Sequence, residues 1–140
     1  MKQAVNETLR YTVLATFAAR YLEEDIKLGG YPIPGGTPII HALGVVLKNP
    51  EYFPDPEKFN PDRFDPGSSC PFPTAAFVPF GVGKRMCPGH RFSKLEVAVC
   101  VAAIIRKFEI GLVEGQKIEL VYGFVSQPSS EIMITLNHRN

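Results

Sequence analysis

A proline-rich and aromatic-rich stretch from Lys48 to Met86 constrains the fold of this 140-residue chain more than any other feature. It has neither a helical nor a strand period, and a segment this long without regular structure is unusual inside a small compact domain. Its prolines stand at positions 50, 54, 56, 61, 66, 71, 73 and 79, and its aromatic residues at 52, 53, 59, 64, 72, 77 and 80. A solvated linker lacks such aromatic anchors. We therefore expect an ordered meander around a larger body, and a chain that is part of a bigger fold.

Helices are expected on both sides of this meander. Val5 and Leu9 are one turn apart in a segment without Gly or Pro, which predicts a helix from about Lys2 to Tyr11. The segment from residue 90 to 107 is apolar on most faces and predicts a long helix buried at the centre of a sizeable fold. Its most apolar part, Leu95 to Ile105, is too short to cross a bilayer.

Short strand-like runs complete the pattern. Gly29-Gly30 is a hairpin signal between two of them. The runs cover residues 18–22, 26–28, 31–33, 38–43, 108–113, 118–121 and 132–136. The sequence thus predicts a mainly α fold with small β-sheets, in the α+β class.

Charge and cysteine content exclude some classes of protein. The formal net charge is +1, from 15 basic and 14 acidic residues with no basic run, so nucleic acid is not a favoured partner. The three cysteines Cys70, Cys87 and Cys100 are odd in number and irregularly spaced, which argues against a disulfide framework. A reducing compartment or the cytosolic side of a membrane is expected, and residues after Met1 lack the apolar core of a signal peptide.

The stretch from residue 80 to 89 carries the chemistry. Cys87 follows a glycine-rich turn and precedes the long helix, whose free N–H groups and dipole favour a thiolate, the form that ligates metal. Arg85 supplies a cation two residues away, suited to a carboxylate on the same ligand. Three residues without a Cβ let the backbone approach a flat ligand closely, namely Gly81, Gly83 and Gly89.

Two plainer interpretations of Cys87 remain. Most free cysteines are small buried hydrophobes, and this one could be another. A zinc site from Cys87 and His90 is weaker, because the chain has no second closely spaced pair of ligands. His90, His41 and His138 are more simply ordinary polar residues.

The loop contains the complete pattern F-x-x-G-x-R-x-C-x-G and so resembles the haem-binding signature of the cytochrome P-450 superfamily. The residues that match it are Phe80, Gly83, Arg85, Cys87 and Gly89. The resemblance implies haem b as cofactor and Cys87 as the axial ligand of its iron, the only residue here with a part in the chemistry. It implies that Phe80 packs on the haem beside the sulfur, that Gly81 belongs to the same cradle, and that Arg85 and Arg20 pair with haem propionates.

A second motif supports this resemblance. Glu7 and Arg10 form an E-x-x-R pair, and residues 61–64 resemble a P-E-R-F motif with Asp in place of Glu. In the superfamily these residues and Arg63 form a buried structural network that fixes the meander. By itself the E-x-x-R pair would be a solvated ion pair of little energy. Val13 departs from the family, where proline is common at this place.

The resemblance also assigns the segments. The chain is similar to the C-terminal part of the P-450 fold, as one partial domain over residues 1–140. Residues 1–12 correspond to helix K, 48–86 to the meander and cysteine loop, and 90–107 to helix L, before a last β-hairpin. Segments 15–18 and 123–125 match regions that usually face substrate. Segments 42–47 and 113–122 look most like the animal orphan subfamily 20A.

The implied function is a haem-thiolate monooxygenase that inserts one atom of O₂ into an organic, lipophilic substrate. An NADPH-dependent reductase would dock near Lys84, Arg85 and Arg91. Helix I and the N-terminal membrane anchor are not in this sequence, and the family analogy suggests the cytosolic face of the endoplasmic reticulum membrane. The alternative is a truncated, catalytically inactive product that binds haem weakly or not at all, and a third possibility is a zinc-bound or structural module.

Overall fold

The computed structural model describes residues 1–68 and 72–139. Cys70 lies outside the described residues. Three helices and eight short strands occur in the described part, together with three short 3₁₀ helices. The helices are α1 (Lys2–Thr12), α2 (Leu43–Leu47) and α3 (His90–Lys107). The strands are β1 (Ala18–Tyr21), β2 (Ile26–Leu28), β3 (Tyr31–Ile33), β4 (Pro38–His41), β5 (Phe108–Leu112), β6 (Leu120–Val121), β7 (Gln127–Pro128) and β8 (Ile134–His138).

The strands pair as four antiparallel two-stranded ribbons in the described part of the chain. They are β1 with β4, β2 with β3, β5 with β8, and β6 with β7. Gly29 and Gly30 both have positive φ and make the turn between β2 and β3, as the hairpin signal predicts. Phe108 opposes His138 at one end of the β5–β8 ribbon and Leu112 opposes Ile134 at the other.

The meander is ordered by short turns and aromatic contacts. Its 3₁₀ helices are Pro61–Phe64, Thr74–Ala76 and Gly83–Arg85. The first begins at Asn60, whose side chain accepts a hydrogen bond from the backbone N–H of Asp62 and caps it. The Phe64 ring lies 5.2 Å from that of Phe72 and 4.7 Å from that of Phe77, centroid to centroid. These contacts give a proline-rich segment a fixed path without a regular hydrogen-bond ladder.

The small core lies between α1, α2 and the meander. Leu47 and Phe53 are fully buried there, and Leu43 and Val5 nearly so. Helix α1 contributes two fully buried charged residues, Glu7 and Arg10, to the same region. It ends at Val13, which is buried and has a left-handed backbone at φ 45° and ψ 67°. Left-handed φ is a true outlier for a β-branched residue, so its surroundings must hold it there.

The prediction that the long helix is buried is wrong for the structure described. None of the residues of α3 is buried, although the helix occupies the predicted bounds His90–Lys107. Phe92 is 70% and Leu95 63% exposed. The physical reason is a lack of partners, because among the helices and strands of the described residues α3 makes substantial contact only with α1 and β5. Of the helices in residues 1–68 and 72–139, none has the length and apolarity needed to cross a membrane.

Apart from the 3₁₀ helices of the meander, two elements were not predicted, α2 and β7. The run over residues 38–43 was expected as one strand, but β4 ends at His41 and α2 begins at Leu43. Strand β7 was missed because it has only two residues, one of them Pro128. Two-residue strands have no period that a sequence pattern could reveal.

Candidate functional site

A buried ion-pair network lies between α1 and the meander. Nε and Nη2 of Arg10 donate to the two carboxylate oxygens of Glu7 at 2.7 and 2.9 Å, and both side chains are 0% exposed. Nε of Arg63 lies 3.5 Å from Oε1 of Glu7, an ion-pair distance without hydrogen-bond geometry. The alternative of a solvated helical pair is therefore excluded, because the structure brings all three residues together out of water.

The network connects α1 to the meander through backbone groups. The N–H of Asn60 donates to Oε1 of Glu7 at 2.8 Å, so the carboxylate accepts from both segments. Arg10 donates to the carbonyl of Leu47 at 3.2 Å and Arg63 to that of Asp55 at 2.8 Å. Each buried charge thus has an opposite charge and further hydrogen bonds, which is what makes such burial tolerable.

The cysteine loop is a tight turn closed on itself. Gly81 and Gly83 have φ of 74° and 72°, where only glycine is unstrained. The N–H of Cys87 donates to the carbonyl of Phe80 at 3.0 Å, which closes the loop. The N–H of His90, the first residue of α3, donates to the carbonyl of Cys87 at 3.3 Å. Cys87 is thereby fixed at the entry to α3 by backbone hydrogen bonds on both sides.

Cys87 is exposed, and its side chain lines a cavity of about 560 Å³. The interpretation of Cys87 as a buried hydrophobe is therefore wrong. The size falls in the range of roughly 300–1,000 Å³ found for sites that take organic ligands. The wall is apolar over most of its extent, with residues from α1, β1, α2 and the 124 turn. It also includes Phe80, Gly81, Arg85 and Arg20.

The residues present fit a haem. The cavity combines one sulfur, two guanidinium groups and apolar walls, which correspond to an iron, two carboxylates and a macrocycle. In the described part of the chain neither Arg20 nor Arg85 forms an ion pair, so both keep donors for a ligand's carboxylates. A methyl group added at Gly89 would lie 3.8 Å from the sulfur of Cys87, so glycine there keeps that flank clear.

Not every predicted cofactor residue lines the cavity. Gly83 and Gly89 do not, and they act on the loop that presents Cys87. Nδ1 of His90 lies 3.0 Å from the carbonyl oxygen of Cys87. Among residues 1–68 and 72–139, no group of three or more His, Cys, Asp or Glu side chains could hold a metal ion.

Sequence reasoning missed Lys94, on the first turns of α3. Its Nζ lies 5.3 Å from the ring centroid of Phe77 and 5.6 Å from that of Phe80. Burial, and secondarily the charge of Lys2, lower the pKa of Lys94 below its usual 10.5. Only the path of the meander brings these rings to α3, so no local pattern reveals the contact.

The chain is similar to known proteins in both sequence and structure. The family model described as Cytochrome P450 matches residues 1–136. The chain is 35% identical to mouse Cytochrome P450 4V2 over 97% of its own length and 26% of that protein, and 39% identical to Abscisic acid 8'-hydroxylase CYP707A1 of Solanum lycopersicum over 76% and 21%. The solved structure of retinoic acid bound cyanobacterial CYP120A1 superposes with a TM-score of 0.85 at 32% identity, covering 98% of this chain and 32% of that one.

These comparisons confirm the predicted fold class and its P-450 architecture. They give no support to the finer resemblance to the animal orphan subfamily 20A, since the similar proteins carry other designations. The chain spans about a fifth to a third of the length of the relatives described. On the family match and the shared fold, the chain belongs to the cytochrome P450 superfamily.

Proposed function

We propose that this chain is the haem- and iron-binding C-terminal part of a haem-thiolate monooxygenase. The reaction would insert one atom of O₂ into an organic, lipophilic substrate, and residues 1–140 would form one partial domain. Helix K would be α1, helix L would be α3, and residues 48–86 would be the meander and cysteine loop. One observation carries the proposal, namely that the exposed residue Cys87 lines one mostly apolar cavity together with Arg20 and Arg85.

Five residues of the cavity would contact the haem. Cys87 would ligate the iron, and Phe80 with Gly81 would support the macrocycle beside it. Arg20 and Arg85 would hold the two propionates by charge-assisted hydrogen bonds. A bound haem with a thiolate ligand would supply dioxygen activation, because thiolate donation favours O–O cleavage.

The supporting residues act through the loop. Gly83 and Gly89 would let the chain turn and leave the sulfur accessible. Glu7, Arg10 and Arg63 are structural and would hold the meander against α1. No further residue of the chain is assigned a chemical step.

The electron donor, the cellular location and the substrate class are proposed from the family resemblance. Electrons would come from an NADPH-dependent reductase that docks near Lys84, Arg85 and Arg91. Lys84 and Arg91 are exposed and do not line the cavity, so both are available for its docking. By the same resemblance the protein would work at the cytosolic face of the endoplasmic reticulum membrane, held there by an N-terminal segment. Its substrate would be apolar, because segments 15–18 and 123–125, which match regions that face substrate in the family, are mostly apolar.

A second candidate is a catalytically inactive product that binds haem weakly or not at all. The observation that favours it is the exposure of every large apolar residue of α3 in the described structure. Apolar surface left in water does not contribute to the free energy of folding. The helix that follows the cysteine loop is therefore less stable, and so is the position of the loop.

A haem titration distinguishes the two candidates. The purified chain is reconstituted with haem, reduced and exposed to CO, and its difference spectrum is compared with those of Cys87→Ala and Cys100→Ala. Cys100 is the matched control, because it is also a free, exposed cysteine but does not line the cavity. A thiolate-type Soret band that is lost only in Cys87→Ala supports the monooxygenase proposal. No uptake of haem, or uptake without that band, favours the second candidate, and stoichiometric zinc without iron would favour a zinc module.

A further inference from the structure

Phe80 is the residue of the cysteine loop whose side chain is not exposed. Every residue from 82 to 88 is exposed, including Cys87 itself, whereas Phe80 is half-buried. The carbonyl of Phe80 also accepts the N–H of Cys87 at 3.0 Å. The position of Phe80 therefore sets where the loop closes and where Cys87 is held.

The ring of Phe80 contacts two side chains of α3. The centroid of the His90 ring lies 6.3 Å from that of Phe80, with the two planes inclined at 58°. Lys94 is one turn further along the helix, and its Nζ lies 5.6 Å from the same Phe80 centroid. Residues four apart on a helix share one face. His90 and Lys94 thus form one contact surface for the ring.

Lys94 also joins the loop to the aromatic cluster of the meander. Its Nζ lies 5.3 Å from the ring centroid of Phe77. The Phe77 ring in turn lies 4.7 Å from that of Phe64 and 6.2 Å from that of Phe72. A cation is attracted to the face of an aromatic ring by the ring quadrupole. One ammonium therefore holds a ring of the meander and the ring of Phe80 against α3.

The charge of Lys94 is stabilised by these rings and not by a carboxylate. Among residues 1–68 and 72–139, Lys94 is half-buried and forms no ion pair. Burial, and secondarily the charge of Lys2, lower its pKa, so the charged form costs free energy at this place. A cation withdrawn from water gains more from an aromatic face than an exposed cation does. The contacts to Phe77 and Phe80 offset that cost.

We propose that Lys94 is a positioning residue, whose ammonium fixes the ring of Phe80 on α3 and so keeps the cysteine loop closed at Cys87. For the part that this plays in presenting the sulfur to a haem, the inference rests on the proposed function. Its physical content concerns the loop alone and does not require haem. Without the cation, the ring of Phe80 leaves α3 more often and the loop opens more often.

Hydrogen exchange at two cysteine amides tests this anchor. The haem-free chain is labelled with ¹⁵N-cysteine, and its amide resonances are assigned by replacing each cysteine with serine in turn. The N–H of Cys87 bonds across the loop to Phe80, whereas Cys100 lies inside α3 and reports on the helix. Lys94→Met removes the cation and Lys94→Arg keeps it. Lys107→Met is the matched control, because it removes the same charge from the exposed last turn of the same helix.

The loss of two cation–π contacts in Lys94→Met should speed exchange of the Cys87 amide by roughly tenfold. The Cys100 amide should keep its rate, and Lys94→Arg and Lys107→Met should match the parent chain at both amides. Equal acceleration of both amides in Lys94→Met overturns the proposal, because the lysine then stabilises α3 as a whole. An unchanged rate at Cys87 overturns it as well.

A second measurement tests the role of this anchor in presenting the sulfur. After reconstitution with haem, reduction and exposure to CO, Lys94→Met should show a smaller fraction of the thiolate-type band than the parent chain, and Lys94→Arg should restore it. Faster exchange at Cys87 with an unchanged band overturns that role. Absence of the thiolate-type band from every variant, the parent included, would refute the proposed function alone, because the exchange measurement involves no haem.

Discussion

Arg10 holds both carboxylate oxygens of Glu7, at 2.7 and 2.9 Å, in a place where neither side chain reaches water. Glu7 also accepts the N–H of Asn60, so one carboxylate joins the helix to the meander. Removing the charge of a buried partner leaves the opposite charge uncompensated, which usually costs about 3–5 kcal/mol. We therefore expect Glu7→Gln to lower the free energy of unfolding by about that amount, as measured by urea denaturation.

Glu57→Gln is the control for this experiment. Glu57 also forms an ion pair, with Nζ of Lys48 at 2.9 Å, but its side chain is 77% exposed. Exposed pairs contribute about 0–1 kcal/mol, because water screens them. If both substitutions destabilise the chain equally, burial is not what gives the Glu7 network its importance.

The sequence predicts the ion-pair network and the cysteine loop better than it predicts the long-range packing of the chain. The E-x-x-R spacing and the cysteine loop depend on neighbouring residues, so their geometry follows from short motifs. The left-handed glycines at 81 and 83 and the closure of the loop between Phe80 and Cys87 agree with that expectation. Local patterns are the part of structure that a sequence specifies most directly.

The exposure of α3 and the hydrogen bond from Ser126 to Val13 could not be predicted in this way. An apolar helix is buried only if another element covers it, and its own period does not say whether one does. The hydrogen bond from Ser126 to Val13 spans 113 positions and depends on where the last hairpin lies. Contacts of this kind are set by tertiary packing, so a single sequence without a fold leaves them open.

Lys94 predicts how stability changes with pH. Burial and the nearby Lys2 lower its pKa in the folded chain, whereas the unfolded chain keeps the ordinary value of 10.5. Between the lowered pKa and 10.5 the unfolded state binds more protons, so the free energy of unfolding rises with pH in that window. Below the window the penalty for the buried charge is fully present.

Lys94→Met should remove this rise, measured by urea denaturation at a series of alkaline pH values. The quantity to compare is the slope of the free energy of unfolding against pH. The absolute free energy is unsuitable, because Lys94→Met also removes the cation–π contacts to Phe77 and Phe80, each of about 0.5–1 kcal/mol. Lys84→Met is the control, since Lys84 is exposed in the cysteine loop. An unchanged slope in Lys94→Met would show that the ammonium is not penalised in the folded chain.

Gly83→Ala tests the backbone of the cysteine loop. A methyl group there meets nothing within 4 Å, so the cost is conformational and arises from the φ of 72°. A left-handed conformation costs an L-residue about 1–2 kcal/mol. We expect a corresponding loss in the free energy of unfolding and, under the proposed function, weaker uptake of haem.

Gly67→Ala provides the comparison for this substitution. Its φ lies outside the left-handed region, and the added methyl would be 3.6 Å from Oδ1 of Asp65, an ordinary contact. There the substitution should be neutral or stabilising by about 0.4–1 kcal/mol, because alanine restricts the unfolded chain. Equal effects at the two positions would exclude a special role for the turn at Gly83.

The two cavity arginines give the most direct test of how a dicarboxylate ligand would be held. Arg20 and Arg85 come from segments 65 residues apart, yet they border the same space as Cys87. A hydrogen bond to a charged group contributes about 1.5–3 kcal/mol, so Arg20→Leu and Arg85→Leu should each weaken haem binding by roughly tenfold or more. Arg91→Leu, on the exposed start of α3, removes the same charge away from the cavity and should leave the affinity for haem unchanged.

The measurement is the rate of haem transfer to an excess of an apo-haem protein. If Arg91→Leu speeds haem transfer as much as Arg85→Leu does, the effect comes from the change in net charge. The arginines of the cavity then do not bind the carboxylates of the haem.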